Sequence, residues 1–227
     1  MNASAKRAGR GAFTSWDLVV LLGAVALLLF LLLPTLDKRR RVICPVNCIS
    51  NLKQIGLAFH LWSADHEEKF PMALSALGGQ GGTKEFNFTG QVWRHFQILA
   101  QELPNPKVLA CPSDRRTRCR DWKDFTDNRH LSYLVGLDAD ESKSQMILSG
   151  DRNLTSTLRA TKSASNGVLA LGLGDRVEWT QAVHNRAGNI ALADGSAFRV
   201  SDYCLNKQLR AALATSGQET HRLALPE

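Results

Sequence analysis

Phe13-Thr14-Ser15-Trp16-Asp17-Leu18-Val19-Val20-Leu21-Leu22 leads into a stretch that carries no charge over 18–36, nineteen residues made almost wholly of Leu, Val, Ala, Gly and Phe. At about 1.5 Å of rise per residue such a helix covers about 28 Å, close to the thickness of bilayer hydrocarbon. The length predicts a transmembrane helix. It exceeds the apolar core of a signal peptide, and no small-x-small cleavage pattern follows it. Arg41-Val42-Ile43 before Cys44 is not a lipoprotein-type site. Pro34 suits a kink or a helix end at the far side of the run.

The charge distribution agrees with this reading. The formal net charge is +7, of which residues 1–42 supply +5 through seven Lys or Arg against Asp17 and Asp37. The basic excess flanks the apolar run, where it serves orientation and lipid headgroups rather than nucleic acid. Arg115-Arg116-Thr117-Arg118-Cys119-Arg120 is a local cluster that reads as a solvated loop, so no nucleic-acid partner is expected.

Beyond the run the chain reads as one α+β domain. Ile49, Leu52, Ile55, Phe59 and Trp62 recur at helical spacing, which predicts an amphipathic helix over 46–64, with 37–45 as a hinge or a continuation. Gly78-Gly79-Gln80-Gly81-Gly82 marks a loop, and Val92, Phe96 and Leu99 share a face of a second helix over 91–101. Short strands are predicted at 132–136, 146–148, 167–173, 189–193 and 196–200. Asp194-Gly195 reads as a two-residue type I′ turn between the last two. Ser201 or Asp202 then caps a helix with Leu205, Leu209 and Leu213 on one face, and from Ser216 the tail reads as polar and frayed.

The opening Gly11-Ala12-Phe13-Thr14-Ser15-Trp16-Asp17-Leu18 resembles the prepilin signal of type IV pilins and type II secretion pseudopilins. In that family a prepilin peptidase cuts before a Phe, which becomes an N-methylated terminus, and a Glu four residues on pairs with a neighbour's amino group. The resemblance implies a cut between Ala12 and Phe13, with Ala12 where the family has Gly and Asp17 where it has Glu. Later segments resemble a pseudopilin-like group of planctomycete and verrucomicrobial type. They are Cys48-Ile49-Ser50-Asn51-Leu52-Lys53-Gln54-Ile55-Gly56-Leu57-Ala58, Cys111-Pro112-Ser113-Asp114, Ser132-Tyr133, Gly150-Asp151-Arg152-Asn153, and the His-x9-Asp-Gly signature at His184, Asp194 and Gly195.

What the resemblance implies is an α+β, pilin-like fold. A leader spans 1–12, a transmembrane and assembly helix 13–36 and a hinge 37–45. A periplasmic domain with a small antiparallel sheet spans 46–215, followed by a tail at 216–227. The protein would be a single-pass inner-membrane structural subunit of a type II secretion or type IV pilus-like assembly, not an enzyme. Its partners would be the membrane, a prepilin peptidase, secretion-machine proteins and other pseudopilins or copies of itself. The alternative is an anchored periplasmic ligand-binding module that does not polymerise. Cys48 and Cys111 both fall in group elements, which implies their pairing as a disulfide.

Other chemistry is sparse. A Cys44–Cys119 bridge with Cys204 buried in the last helix, and a zinc site of Cys44, Cys48, Cys111 and Cys119, both remain open on spacing alone. His184 and Asp194 read as loop and turn residues before they read as a catalytic pair. Asp151 and Asp175 each sit in a Gly-Asp-Arg triplet, and strand-end carboxylates can hold Ca²⁺, yet no dense carboxylate loop occurs, so no cofactor is expected. His60, His66, His95, His130 and His221 show no ligand spacing and read as satisfied core or surface residues.

Overall fold

The computed structural model describes residues 15–77, 79, 81–156 and 165–227, and the side chains of all of these except 32–45. The expected processing site at Ala12 and Phe13, and the side chain of Cys44, therefore lie outside the described residues. The chain divides into two units, Met1–Ile43 and Cys44–Glu227.

Helix α1 is Ser15–Ala64, and Asp17 lies in its first turn, where a carboxylate is favoured by the unpaired N–H groups of the helix start. In the first unit the side chains of 15–31 are all exposed, among them Trp16, Leu18, Val20, Leu27 and Phe30. Among the described residues no helix is long and apolar enough to cross a membrane. That overturns the expected transmembrane helix, the single-pass inner-membrane placement and the pilin-like architecture built on such a span.

The second unit is α+β. Its strands are β1 (Tyr133–Gly136), β2 (Ile147–Asp151), β3 (Leu154–Ser156), β4 (Val168–Gly172), β5 (Val177–Trp179), β6 (Gly188–Leu192), β7 (Ala197–Val200) and β8 (Thr220–Ala224). Six of them form an antiparallel sheet in the order β4-β8-β1-β2-β6-β7, and β3 pairs with β5 in a separate ribbon. α2 (Trp93–Gln97) and several single-turn helices over 71–130 precede the strands, and α3 (Asp202–Ser216) lies between β7 and β8.

Alternation along the strands divides the interior in two, because successive side chains leave opposite faces of a sheet. Tyr133, Val135, Leu148 and Ala191 join Cys48, Leu52, Ile55, Phe59 and Trp62 of α1 in one core. Leu134, Ile147, Ile190, Leu192 and Leu223 meet Leu205, Leu209 and Leu213 of α3 in the other. Burying each leucine stabilises the fold by roughly 2 kcal/mol. Ser201 caps α3 by accepting from the Cys204 N–H, and Gly217 ends it at φ 66°.

Three expectations change. The C-terminal tail is not frayed: β8 lies between β4 and β1, and His221, Leu223 and Ala224 are buried. Pairing with β4 on one side and β1 on the other accounts for this, since the stretch itself is polar by composition. Cys204 is exposed on α3 rather than buried. The β6–β7 turn is one residue longer than a type I′ turn. Only Gly195 has positive φ (80°), the Gly195 N–H donates to the Leu192 carbonyl, and the Leu192 N–H donates to the Ser196 carbonyl. This is a type I turn closed by a glycine bulge, a geometry that needs one left-handed residue instead of two.

Candidate functional site

Four segments distant in sequence meet where the N-terminal part of the domain's helix passes the end of β2. Cys48 of α1 and Cys111, just beyond the helical turn Pro106–Leu109, form a disulfide with Cα atoms 5.6 Å apart. His184, in the loop between β5 and β6, places Nε2 3.3 Å from Cys111 Sγ and 3.3 Å from Asp151 Oδ2. All four residues are buried. The ring and the sulfur come from positions 73 residues apart, a separation with no local sequence signal.

Asp151 ends β2 and has no exposed surface. The Asn189 backbone N–H and side-chain Nδ2 both donate to its Oδ2, at 2.7 and 2.8 Å, while Oδ1 has no hydrogen-bond partner. Burial pushes this carboxyl up to about 7, against the lowering effect of the Asn189 bonds. Burial also pushes His184 down to about 4, with Arg199 adding to the effect. The pair is thus a neutral imidazole facing a carboxyl that shares its proton near neutrality.

Neighbouring bonds fix this cluster. Arg152 donates to both oxygens of Asp114 at 2.6 and 2.9 Å, joining the Gly-Asp-Arg-Asn segment to the Cys-Pro-Ser-Asp segment. Burial works to raise the Asp114 carboxyl, but the Arg152 bonds hold it below its ordinary value. The Ser132 N–H donates to the Leu109 carbonyl and the Arg152 N–H to the Ser132 carbonyl. Asn153 Nδ2 donates to the carbonyls of Thr180 and Ala187, which brackets the loop holding His184. Tyr133, opposite Asp151 in the sheet, accepts from Asn51 of α1, and burial drives its phenol far above the usual range.

Other expected residues lie elsewhere. Asp194 accepts from the Ser196 N–H in the β6–β7 turn, and Gly195 packs over Gly56 and the His60 ring of α1. His184 and Asp194 therefore have separate partners. Asp175 accepts from the Gly172 N–H, so the strand-end carboxylates at 151, 175 and 194 do not share a calcium-type cage. Cys119 is a free thiol whose Sγ donates to the Asp121 carbonyl, which excludes both its bridge to Cys44 and its place in a four-cysteine zinc set. The other histidines each have a partner: His60 bonds Glu141, His66 stacks on Trp62, His95 bonds Thr83, His130 bonds the Thr117 carbonyl and His221 the Ile147 carbonyl. One ring nitrogen each of His60, His95 and His221 is buried without a hydrogen bond among the described residues, so these three are only half satisfied.

Sequence reasoning missed Asp151 as the partner of His184, and Glu141 as the bridge between His60 and Ser63 of α1. The Gly-Asp-Arg-Asn element was the available pointer to the first. Nothing local points to the second. No protein-family model, curated protein or solved structure matches the chain.

Proposed function

We propose that the protein is a pseudopilin-like structural subunit that assembles with like chains through its N-terminal helix. The observation that supports this best is the apolar character of 18–31 on every side, with Leu18, Val20, Leu27 and Phe30 all more than half exposed. A helix apolar all round needs a partner surface along its whole circumference, and bundled copies of itself supply one. The prepilin-like start accords with this, since cleavage before Phe13 by a prepilin peptidase creates an amino group beside the region that packs. In such a bundle Asp17 sits near a neighbour's amino terminus and fixes the axial register, because apolar contacts alone slide freely. The disulfide-locked domain is the outward-facing body of the subunit, joined to other pseudopilins of a type II secretion or type IV pilus-like machine.

The test is the intact mass and N-terminal residue of the protein from its native host, combined with oxidative crosslinking of V25C. A methylated Phe13 terminus and a ladder of crosslinked oligomers are expected. An uncut chain that yields no oligomers refutes the reading.

A second reading, a ligand-binding module that does not polymerise, draws on one feature. A cleft of about 470 Å³ lies between β5 and α3, lined by Arg176, Glu178, Tyr203, Lys207 and Arg210 among others. Its cationic side chains and exposed Tyr203 suit an anionic ligand, and ligand-dependent stabilisation of an uncut chain favours it.

A further inference from the structure

We propose that Cys48, Cys111, His184 and Asp151 form a binding site for a thiophilic divalent cation of the Zn²⁺ class when the Cys48–Cys111 bond is reduced. The Sγ atoms of Cys48 and Cys111 and a ring nitrogen of His184 already lie within 4.8 Å of one another, and all three residues are buried. The site is empty. Two thiolates, an imidazole and a carboxylate are a donor set that zinc takes in tetrahedral geometry.

The distances fit that geometry. With metal–ligand bonds of about 2.0 Å to N and O and about 2.3 Å to S, tetrahedral edges are about 3.3 Å for N···O and about 3.6 Å for N···S. His184 Nε2 stands 3.3 Å from Asp151 Oδ2 and 3.3 Å from Cys111 Sγ, so two edges of the tetrahedron are present before any cation binds. The remaining adjustments are between the sulfurs and in bringing the Asp151 carboxylate, which stands outside the three-residue group, within reach of both of them. Sulfurs bonded at about 2.05 Å must separate to about 3.8 Å on a shared cation, a movement within reach of χ1 rotation.

Two further features point to a ligand. Asp151 is fully buried, and its Oδ1 has no hydrogen-bond partner among the described residues, so the carboxyl is not fully satisfied by the protein and has acceptor capacity left for a ligand. Its Oδ2 is oriented by both Asn189 donors, the kind of support that holds a ligating carboxylate in place. The two thiolates alone neutralise a divalent cation, and the Asp151 carboxylate leaves the site with a net charge of −1, which the Asn189 donors help to carry.

The chemistry needs a dithiol reductant. It is oxidised to its own disulfide while the Cys48–Cys111 bond takes up two electrons and two protons and becomes two thiols. Cation binding then replaces both thiol protons, which pass to water. The same four side chains thus close the fold covalently in one state and through a metal in the other.

The test uses the purified full-length chain, reduced with a phosphine, desalted without oxygen and titrated with Co²⁺. One Co²⁺ per chain is expected, with near-ultraviolet thiolate-to-metal charge transfer and the visible bands of a tetrahedral ion, all bleached by Zn²⁺. The oxidised chain should show none of this. H184Q and D151N should each weaken binding at least tenfold, and a C44S/C119S/C204S chain should bind as the parent does. The wild-type spectrum decides even if a variant fails to fold. Absence of charge transfer in the reduced chain, equal uptake by the oxidised chain, or loss of the spectrum in C44S/C119S/C204S overturns the proposal.

Discussion

Breaking the Cys48–Cys111 bridge should cost the domain about a third of its stability or more, and the size of the loss follows from the chain it closes. The cysteines are 63 residues apart in sequence. Cross-linking a loop of that length lowers the entropy of the unfolded chain by an amount worth about 4 kcal/mol at 25 °C. Domains of this size are stable by about 5–15 kcal/mol, so the loss is large but does not by itself unfold the protein. The enclosed segment explains why the effect should also be local. Between Cys48 and Cys111 the described residues form no strand, only the end of α1, α2 and single-turn helices, so no sheet hydrogen bonds hold them in place. It is held by the aromatic contacts of Phe59 with Phe70 and Phe96 and by the bridge at its end. The assay is urea unfolding followed by tryptophan fluorescence, on oxidised and reduced chains with chelator present so that no cation replaces the bridge. With an m-value of about 2 kcal/mol/M, the midpoint should fall by about 2 M on reduction. Limited proteolysis of the reduced chain should cut first within 75–125. A midpoint shift below about 0.5 M, or first cuts in the sheet, would refute the reasoning.

Other perturbations test separate parts of the fold. Burial pushes His95 down to about 4, so its stabilising contribution is complete above pH 6.5 and is lost as pH falls through about 4. Replacing it in H95Q should flatten that acid limb by about 3 kcal/mol, read from unfolding free energies at pH 4 and pH 7. A methyl group on Gly188 would stand 2.5 Å from the Trp179 ring, so G188A should destabilise by about 1–3 kcal/mol in thermal unfolding. Gly195 has φ 80° and a Cβ there would also meet the His60 ring, so G195A should cost about 1 kcal/mol or more, whereas G174A, with open space around it, should be neutral.

The helical and strand elements were legible wherever periodicity and punctuation agreed. The spacing of Leu52, Ile55, Phe59 and Trp62, and the cap and stripe of Ser201, Leu205, Leu209 and Leu213, correspond to buried faces. β1, β2, β4, β6 and β7 lie within a few residues of the predicted runs. β8 escaped because Thr220-His221-Arg222-Leu223-Ala224 is polar by composition. Its burial comes from pairing with β4 and β1 rather than from its own hydrophobicity. The turn at Asp194-Gly195 was recognised as a turn, but its type depends on the pairing of Leu192 with Ser196, which composition does not encode.

The site was legible in a different sense. Segments quoted for their resemblance to one group make bonds to one another: Cys48 to Cys111, Arg152 to Asp114, the Arg152 N–H to Ser132, and His184 against Cys111 and Asp151. Each of these bonds joins segments that no short-range rule connects, so sequence order alone could place the residues but not pair them. Removing Arg152, for example, leaves the buried Asp114 without its guanidinium, at a cost of about 1–3 kcal/mol. Such mutual dependence constrains these positions together without requiring any reaction among them. The exception is informative. Asp194 and Gly195 belong to the same signature as His184 yet serve a separate contact, the close approach of the β6–β7 turn to Gly56 of α1. Signature spacing is therefore set here by the length of β6 and its turn: His184 must reach the disulfide at one end of the strand while Gly195 meets the helix at the other.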